Sequence, residues 1–298
     1  MSVSPHDFES CASANSATTA LRVGALYTIF IFLSILWYNT AMGRIISIVN
    51  QKGGVGKTTT AMNLAAFLAE LGKFVLLVDM DPQANASSGL GLSRDKIEGG
   101  VYEALAKQKR LHDIIRNTAH EGLRIAPATA DLAGANIELV DMERREHQLA
   151  DMLAEVSHAY DYIIIDCPPS LGLLTVNSLV AADELLIPVQ AEYYALEGLG
   201  QLLQTINLVQ THIKPELKIM GAVITMFDKR TRLSEEIMNE LYQYFPNTIF
   251  RTVIPRTVRL AEAPSFGQSI FHYEPSGKGA SAYERLAREI LDKHNKIN

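Results

Sequence analysis

The sequence predicts an α/β fold, a doubly wound and mostly parallel sheet with helices on both faces, and three observations carry that expectation. From Met42 onward, short β-branched runs alternate with longer helical stretches, the order of right-handed βαβ units. Runs such as FVLLVD and YIIID are apolar without alternation, as strands buried on both faces are. A glycine-rich turn follows an earlier run of this kind, RIISIVN, and opens a helix.

Taken in order, the first strand is RIISIVN at 44–50, and its glycine turn leads into a helix over 58–71. A strand at 74–79 ends in aspartate, and another follows at 123–127 before a long helical stretch near 132–156. The run 162–166 is a strand ending in Asp166, after which Pro168 and Pro169 stiffen a turn ahead of a helix over 171–181. A strand at 184–189, a helix at 195–211 and a strand at 217–225 continue the alternation. Helices at 232–244 and 281–294 close the chain, the last with Leu286, Ile290 and Leu291 on one core-packing face. No repeat or long linker divides residues 42–298, so they read as one domain.

Residues 1–41 stand apart. They are rich in Ser, Ala and Thr up to residue 20, then carry a 16-residue apolar run at 23–38, short of the ~20 that span a bilayer. Asp7 and Glu9 spoil a secretory n-region, and no A-x-A-like cleavage site is evident. The extension reads as a disordered segment, a membrane anchor or targeting segment, or a mis-assigned start, since the domain can begin at Met42 with nothing missing.

The 298 residues, 48% hydrophobic and 20% charged, suffice for a sizeable core and exclude a disordered or coiled-coil protein. Two cysteines, Cys11 and Cys167, exclude a disulfide framework and a multi-cysteine metal cluster. The formal charge of −6 is unevenly placed: residues 212–298 hold 13 basic and 10 acidic side chains, residues 1–211 hold 14 and 23. A basic final third on an acidic chain hints at an anionic partner there, although a solvated face gives the same count.

The glycine turn reads KGGVGKTT at 52–59. Gly53, Gly54, Val55 and Gly56 would let backbone N–H groups surround phosphate oxygens without Cβ clashes, and the helix N-terminus adds partial positive charge. Lys57 would reach the β- and γ-phosphates, the Thr58 hydroxyl would ligate Mg²⁺, and Thr59 would meet the α-phosphate region. The spacing departs from GxxxxGK[ST], because Gln51 stands where the first glycine belongs and an extra lysine, Lys52, precedes the glycines. Asp79 and Asp81 lie at the C-terminal end of their strand, where ligands of open α/β sheets bind, and Asp166 is a metal-site carboxylate at the end of an apolar strand. Cys167 beside it is a small packing residue.

The loop KGGVGKT with its early lysine resembles the deviant Walker A loop of the ParA/MinD superfamily, and QKGGVGKTTTAMNLA resembles the Soj-type ParA chromosome-partitioning ATPases. The resemblance makes 42–298 a ParA-type, AAA/CbiA-like P-loop ATPase domain using ATP and Mg²⁺. It implies that Lys52 crosses to the partner subunit's ATP, that Asp81 orients the attacking water, and that Thr58, Asp79 and Asp166 make up the Mg²⁺ site. Lys52, Lys57 and Asp81 are thus the expected catalytic groups. The segments MFDKRT at 226–231 and IPRTVR at 254–259 resemble the family's adenine-holding turns, which places Phe227, Asp228, Pro255 and Arg256 at the base, with Thr257 where the family commonly has Asn.

Lys229, Arg230, Arg232, Arg251, Arg256 and Arg259 cluster in the same region, and the resemblance implies non-specific DNA binding by an ATP-bound homodimer, with Arg230 and Arg259 as the best pair. It also implies a cytoplasmic, nucleoid-associated switch with slow hydrolysis, stimulated by a ParB-like centromere-binding partner. The alternative is a MinD-like membrane-associated positioning ATPase, which needs a basic amphipathic C-terminal helix or an anchor in residues 23–38. A nucleotide-binding scaffold without hydrolysis is disfavoured by intact Lys57, Thr58, Asp81 and Asp166, and a relative of the nitrogenase iron protein by the lack of a second cysteine in the domain.

Overall fold

In a computed structural model, the described residues are 43–296 without 94, 96, 193–196, 229, 231–240 and 247. The extension with its apolar run 23–38, Lys229, Arg232 and most of the helix expected at 232–244 lie outside the described residues.

The strands are β1 (Arg44–Ile48), β2 (Val75–Asp79), β3 (Arg116–Asn117), β4 (Leu123–Ala126), β5 (Tyr162–Asp166), β6 (Glu184–Gln190), β7 (Lys218–Phe227) and β8 (Ile249–Pro255). They form one sheet in the order β3-β4-β2-β5-β1-β6-β7-β8, parallel throughout except for the β3–β4 pair. The helices that matter to the site are α1 (Lys57–Glu70), α2 (Asn85–Gly89), α3 (Leu173–Ala181), α4 (Glu197–His212), α5 (Val258–Glu262) and α6 (Lys278–Asn295).

The unbroken apolar runs are explained by where their side chains go. Ile46, Ile48, Val75, Leu77 and Ile164 pack on the face covered by α1 and α6, while Val49, Leu76, Val78, Ile163 and Ile165 pack on the opposite face with Leu179, Leu202 and Ile206. Each strand feeds two cores, so its interior positions are nearly all apolar, with buried Ser47 in β1 an exception, and each fully buried Ile or Leu contributes about 2 kcal/mol of transfer free energy. Strand β1 lies between β5 and β6, where the chain changes direction across the sheet, so its C-terminal end opens into the crevice that binds ligands in such folds.

Three sequence expectations change. Strand β8 was not expected: only its last two residues, Ile254 and Pro255, fall in the segment read as a base-binding turn, and its edge position gives it half-buried alternation in place of a continuous apolar run. The two-residue β3 is too short for a pattern. The stretch 132–156 is broken into helices Leu132–Glu138 and Gln148–Ala154, with Arg144 at φ +51 between them. The buried side chain of Asn177 holds that break, donating to Arg145 O at 2.8 Å and accepting from Leu149 N–H at 3.1 Å.

Helix α6 packs on β8 and α1 through Tyr283, Leu286, Ala287 and Ile290, as its pattern predicts. Its Glu289 carboxylate accepts from Arg251 N–H, Thr252 N–H and the Thr252 hydroxyl, closing edge-strand donors that would otherwise invite another strand. Near its end, His294 joins Glu184 (2.7 Å) and the Tyr162 hydroxyl (2.9 Å) in a buried network. Among the described residues no helix is long and apolar enough to cross a membrane.

Candidate functional site

The loop after β1 is held at both ends. Asn50 donates to Pro188 O at 2.8 Å and accepts from Lys52 N–H at 3.0 Å, while the Thr225 hydroxyl donates to Val55 O at 2.8 Å. Gly56, at φ +87, turns the chain into α1 without any side-chain cap, so the first amides of the helix have no acceptor inside it. No atom lies within 4 Å of where a Cβ would stand on Gly53 or Gly54, which leaves the concave side open. Lys57 is buried, with Nζ donating to Lys52 O at 2.9 Å, and burial pulls its pKa below the usual lysine value. A buried ammonium and a row of unpaired amides around an open loop make a site for an anion of several charges.

Asp166 sits opposite that loop. Register places it beside Asp79 on one side and Ile48 on the other. It is fully buried, and both carboxylate oxygens lack a hydrogen bond of normal geometry, with the Thr58 side chain close by. Burial, reinforced by Asp79, raises its pKa well above the carboxylate range. An orphaned buried carboxylate beside a threonine hydroxyl fits Mg²⁺, which uses one or two carboxylates together with phosphate oxygens and water. Among the described residues no group of three or more His, Cys, Asp or Glu side chains converges as a metal cage.

Asp79 differs. Its Oδ2 accepts from Ser87 N–H (2.9 Å) and the Ser87 hydroxyl (2.7 Å), and its Oδ1 from Asp81 N–H (3.2 Å). Burial lifts its pKa to about 6 against those donors. Asp81 is nearly buried, and its Oδ1 accepts from Gln83 N–H at 2.9 Å. Lys52 is half-buried, and among the described residues no side-chain hydrogen bond or ion pair holds its ammonium. Cys167 is buried and inert, its thiol pushed up to about 12 by burial.

Beside the loop lies an apolar cavity of about 340 Å³ lined by Thr59, Thr225, Met226, Pro255, Thr257 and Tyr283, among others. Pro255 and Arg256 line it as expected. Phe227 and Asp228 are not part of its lining: Phe227 packs against the core on the α3–α4 face, and Asp228 is an ion-pair partner of Arg230 at 2.7 Å. Sequence reasoning missed Met226, Thr225 and Tyr283; Met226, at φ +52, is the penultimate residue of β7, while Tyr283 arrives from α6 and donates to or accepts from Thr60 at 3.2 Å.

Arg230 and Arg259 are exposed and each faces acids, Asp228 for the first and Glu262 (2.9 Å) with Glu274 (3.6 Å) for the second. Arg256 pairs with Glu192 at 2.7 Å.

A parallel sheet whose central strand runs into a glycine loop with a buried lysine, facing buried aspartates on the adjacent strand ends, defines a P-loop nucleotide-binding protein. The family model described as an AAA domain matches residues 43–219. The chain is 55% identical over 249 residues to the sporulation initiation inhibitor protein Soj of Bacillus subtilis (strain 168), covering 84% of this chain and 98% of that protein. It is 52% identical over 250 residues to the chromosome partitioning protein ParA of Myxococcus xanthus (strain DK1622), covering 84% and 88%. Among solved structures it is similar to cobyrinic acid a,c-diamide synthase from Mycobacterium smegmatis with bound ADP and magnesium, at TM-score 0.77 and 37% identity, covering 86% and 97%. The septum site-determining protein MinD of Pyrococcus horikoshii with Mg-ADP gives TM-score 0.67 and 28% identity, covering 84% and 96%. The chain belongs to the ParA/Soj family of partitioning ATPases.

Proposed function

We propose that residues 42–298 form one ATPase domain that binds Mg²⁺–ATP, dimerises around it, holds DNA without sequence preference and releases it on hydrolysis. The observation that carries the reading is the orphaned Asp166 carboxylate beside Thr58, facing a glycine loop that already contains Lys57. A bound nucleotide would supply the γ-phosphoryl group, and Mg²⁺ would neutralise the negative charge on its oxygens. The amides opening α1 and the Lys57 ammonium bind phosphate oxygens, Thr58 and Asp166 hold the metal, and Asp81 orients water. Lys52 reaches the partner's nucleotide, which agrees with an ammonium that no described neighbour in its own subunit holds. The base lies in the apolar cavity against Pro255, with Arg256 at its rim.

Arg230 and Arg259 are the DNA contacts, exchanging Asp228, Glu262 and Glu274 for phosphates. A ParB-like centromere-binding protein is the stimulating partner, and the switch works in the cytoplasm on the nucleoid. The MinD-like alternative has less support, because the apolar face of α6 is already packed on β8 and α1. The 52–55% identities to partitioning proteins outweigh the 37% identity to the cobyrinic acid diamide synthase.

The reading is tested with Asp81→Ala and Lys52→Ala. Asp81→Ala should bind ATP, stop hydrolysing it and accumulate as a dimer on size-exclusion with light scattering. Lys52→Ala should bind ATP as a monomer. A monomeric Asp81→Ala protein with full hydrolysis would remove the catalytic assignment.

A further inference from the structure

Asp79 and Asp166 occupy matching ends of adjacent strands, yet their surroundings are opposite. Asp166 has no hydrogen-bond partner of normal geometry on either oxygen, whereas Asp79 accepts three protein donors. Ser87 provides two of them, and its role is fixed by a further bond: its hydroxyl oxygen accepts from Ala128 N–H at 3.0 Å. The one hydroxyl proton is therefore directed to Asp79 Oδ2. Both residues are fully buried, away from bulk solvent. The other oxygen of Asp79 holds the backbone N–H of Asp81. One carboxylate thus ties both ends of the 81–87 turn, Asp81 at its start and Ser87 on α2, to the end of β2, and Ser87 links that turn to Ala128, two residues past β4.

The geometry points to Asp79 and Ser87 as positioning residues for Asp81, with Asp79 a bracket for the turn and not a metal ligand. The inference rests on the hydrolytic reading above for its kinetic consequence alone; the bracket itself is a property of the nucleotide-free chain. Without the Ser87 hydroxyl the turn keeps its sequence and its acid but loses the tie that fixes where Asp81 stands. Charge-assisted hydrogen bonds in buried sites are strong enough for one such loss to change a local opening equilibrium about tenfold.

The test uses Ser87→Ala, Ser87→Thr and Asp79→Asn in the full chain. Hydrogen exchange of the nucleotide-free protein should quicken about tenfold at residues 82–90 in Ser87→Ala and Asp79→Asn, and stay unchanged in the sheet. In the same two variants kcat should fall about tenfold, with the nucleotide Kd and the half-saturating Mg²⁺ concentration each within about twofold of the parent. Ser87→Thr, which keeps the hydroxyl, should restore both exchange and kcat. A tenfold rise in the Mg²⁺ requirement of Asp79→Asn with unchanged exchange would make Asp79 a metal ligand and overturn the inference. So would Ser87→Thr behaving like Ser87→Ala. Should the parent protein itself hydrolyse nothing, the functional reading fails while the exchange data still decide the bracket.

Discussion

Asp166→Asn should make the nucleotide-free protein more stable while removing its Mg²⁺-dependent hydrolysis. The carboxylate is fully buried, neither oxygen has a hydrogen bond of normal geometry, and Asp79 and Asp81 add negative charge nearby, with Lys57 the weakest of the influences on it. An unsatisfied buried charged group costs about 1–3 kcal/mol or more, so replacing it by a neutral isostere recovers about that amount. For a domain of this size the gain corresponds to roughly 3–9 °C in Tm. The sign of the pH dependence comes from the raised pKa. A carboxyl that holds its proton more tightly folded than unfolded makes stability fall as pH rises above the ordinary carboxylate range. The gap between variant and parent should therefore widen from about pH 4 toward pH 8. Denaturant melts without nucleotide or Mg²⁺, run across that range, measure it. A variant no more stable than the parent at pH 8 would refute the claim that Asp166 is an uncompensated charge awaiting a cation.

Other outcomes depend on single contacts. Thr225→Val keeps the shape of the side chain but removes the bond to Val55 O, and should weaken fluorescent nucleotide binding about fivefold to tenfold, with Thr225→Ser restoring it. His294→Ala breaks the network with Glu184 and Tyr162 and should cost about 2–4 kcal/mol in denaturant melts. The His294 hydrogen bond holds the Glu184 pKa below its ordinary value, so this stability is present above the ordinary carboxylate pKa and lost as pH falls through the depressed one; the variant should lose that acid-side slope. Gly267→Ala meets both a φ of +66 and Gly91 Cα 2.7 Å from the new Cβ, and should lower Tm, whereas Gly53→Ala, with open space and no positive φ, should leave it unchanged.

The sheet was readable wherever strands are buried on both faces, because β1, β2, β5 and β6 then carry apolar residues at nearly all of their interior positions. The phosphate loop was readable because its chemistry is contiguous: strand, glycines, lysine, threonine and helix follow one another. Strand β8 escaped because an edge strand half-exposes its residues, and the break in 132–156 because a buried Asn177 from another helix holds it. The cavity beside the loop was half legible. Pro255 and Arg256 lie in a recognisable turn, but Tyr283 comes from a helix whose pattern says only that it packs, and Phe227 points its ring into the opposite core. The tie between Ser87 and Asp79 joins residues eight apart through a turn, and no periodicity reports that.

The central claim, an ATP-controlled grip on DNA, is tested most directly by co-sedimentation with unrelated duplex DNA and, separately, with anionic liposomes, each with ATP and with ADP. Capture by DNA with ATP alone, weakening steeply with salt and lost in Arg230→Ala plus Arg259→Ala, is the predicted result. Capture by liposomes and not by DNA would contradict it.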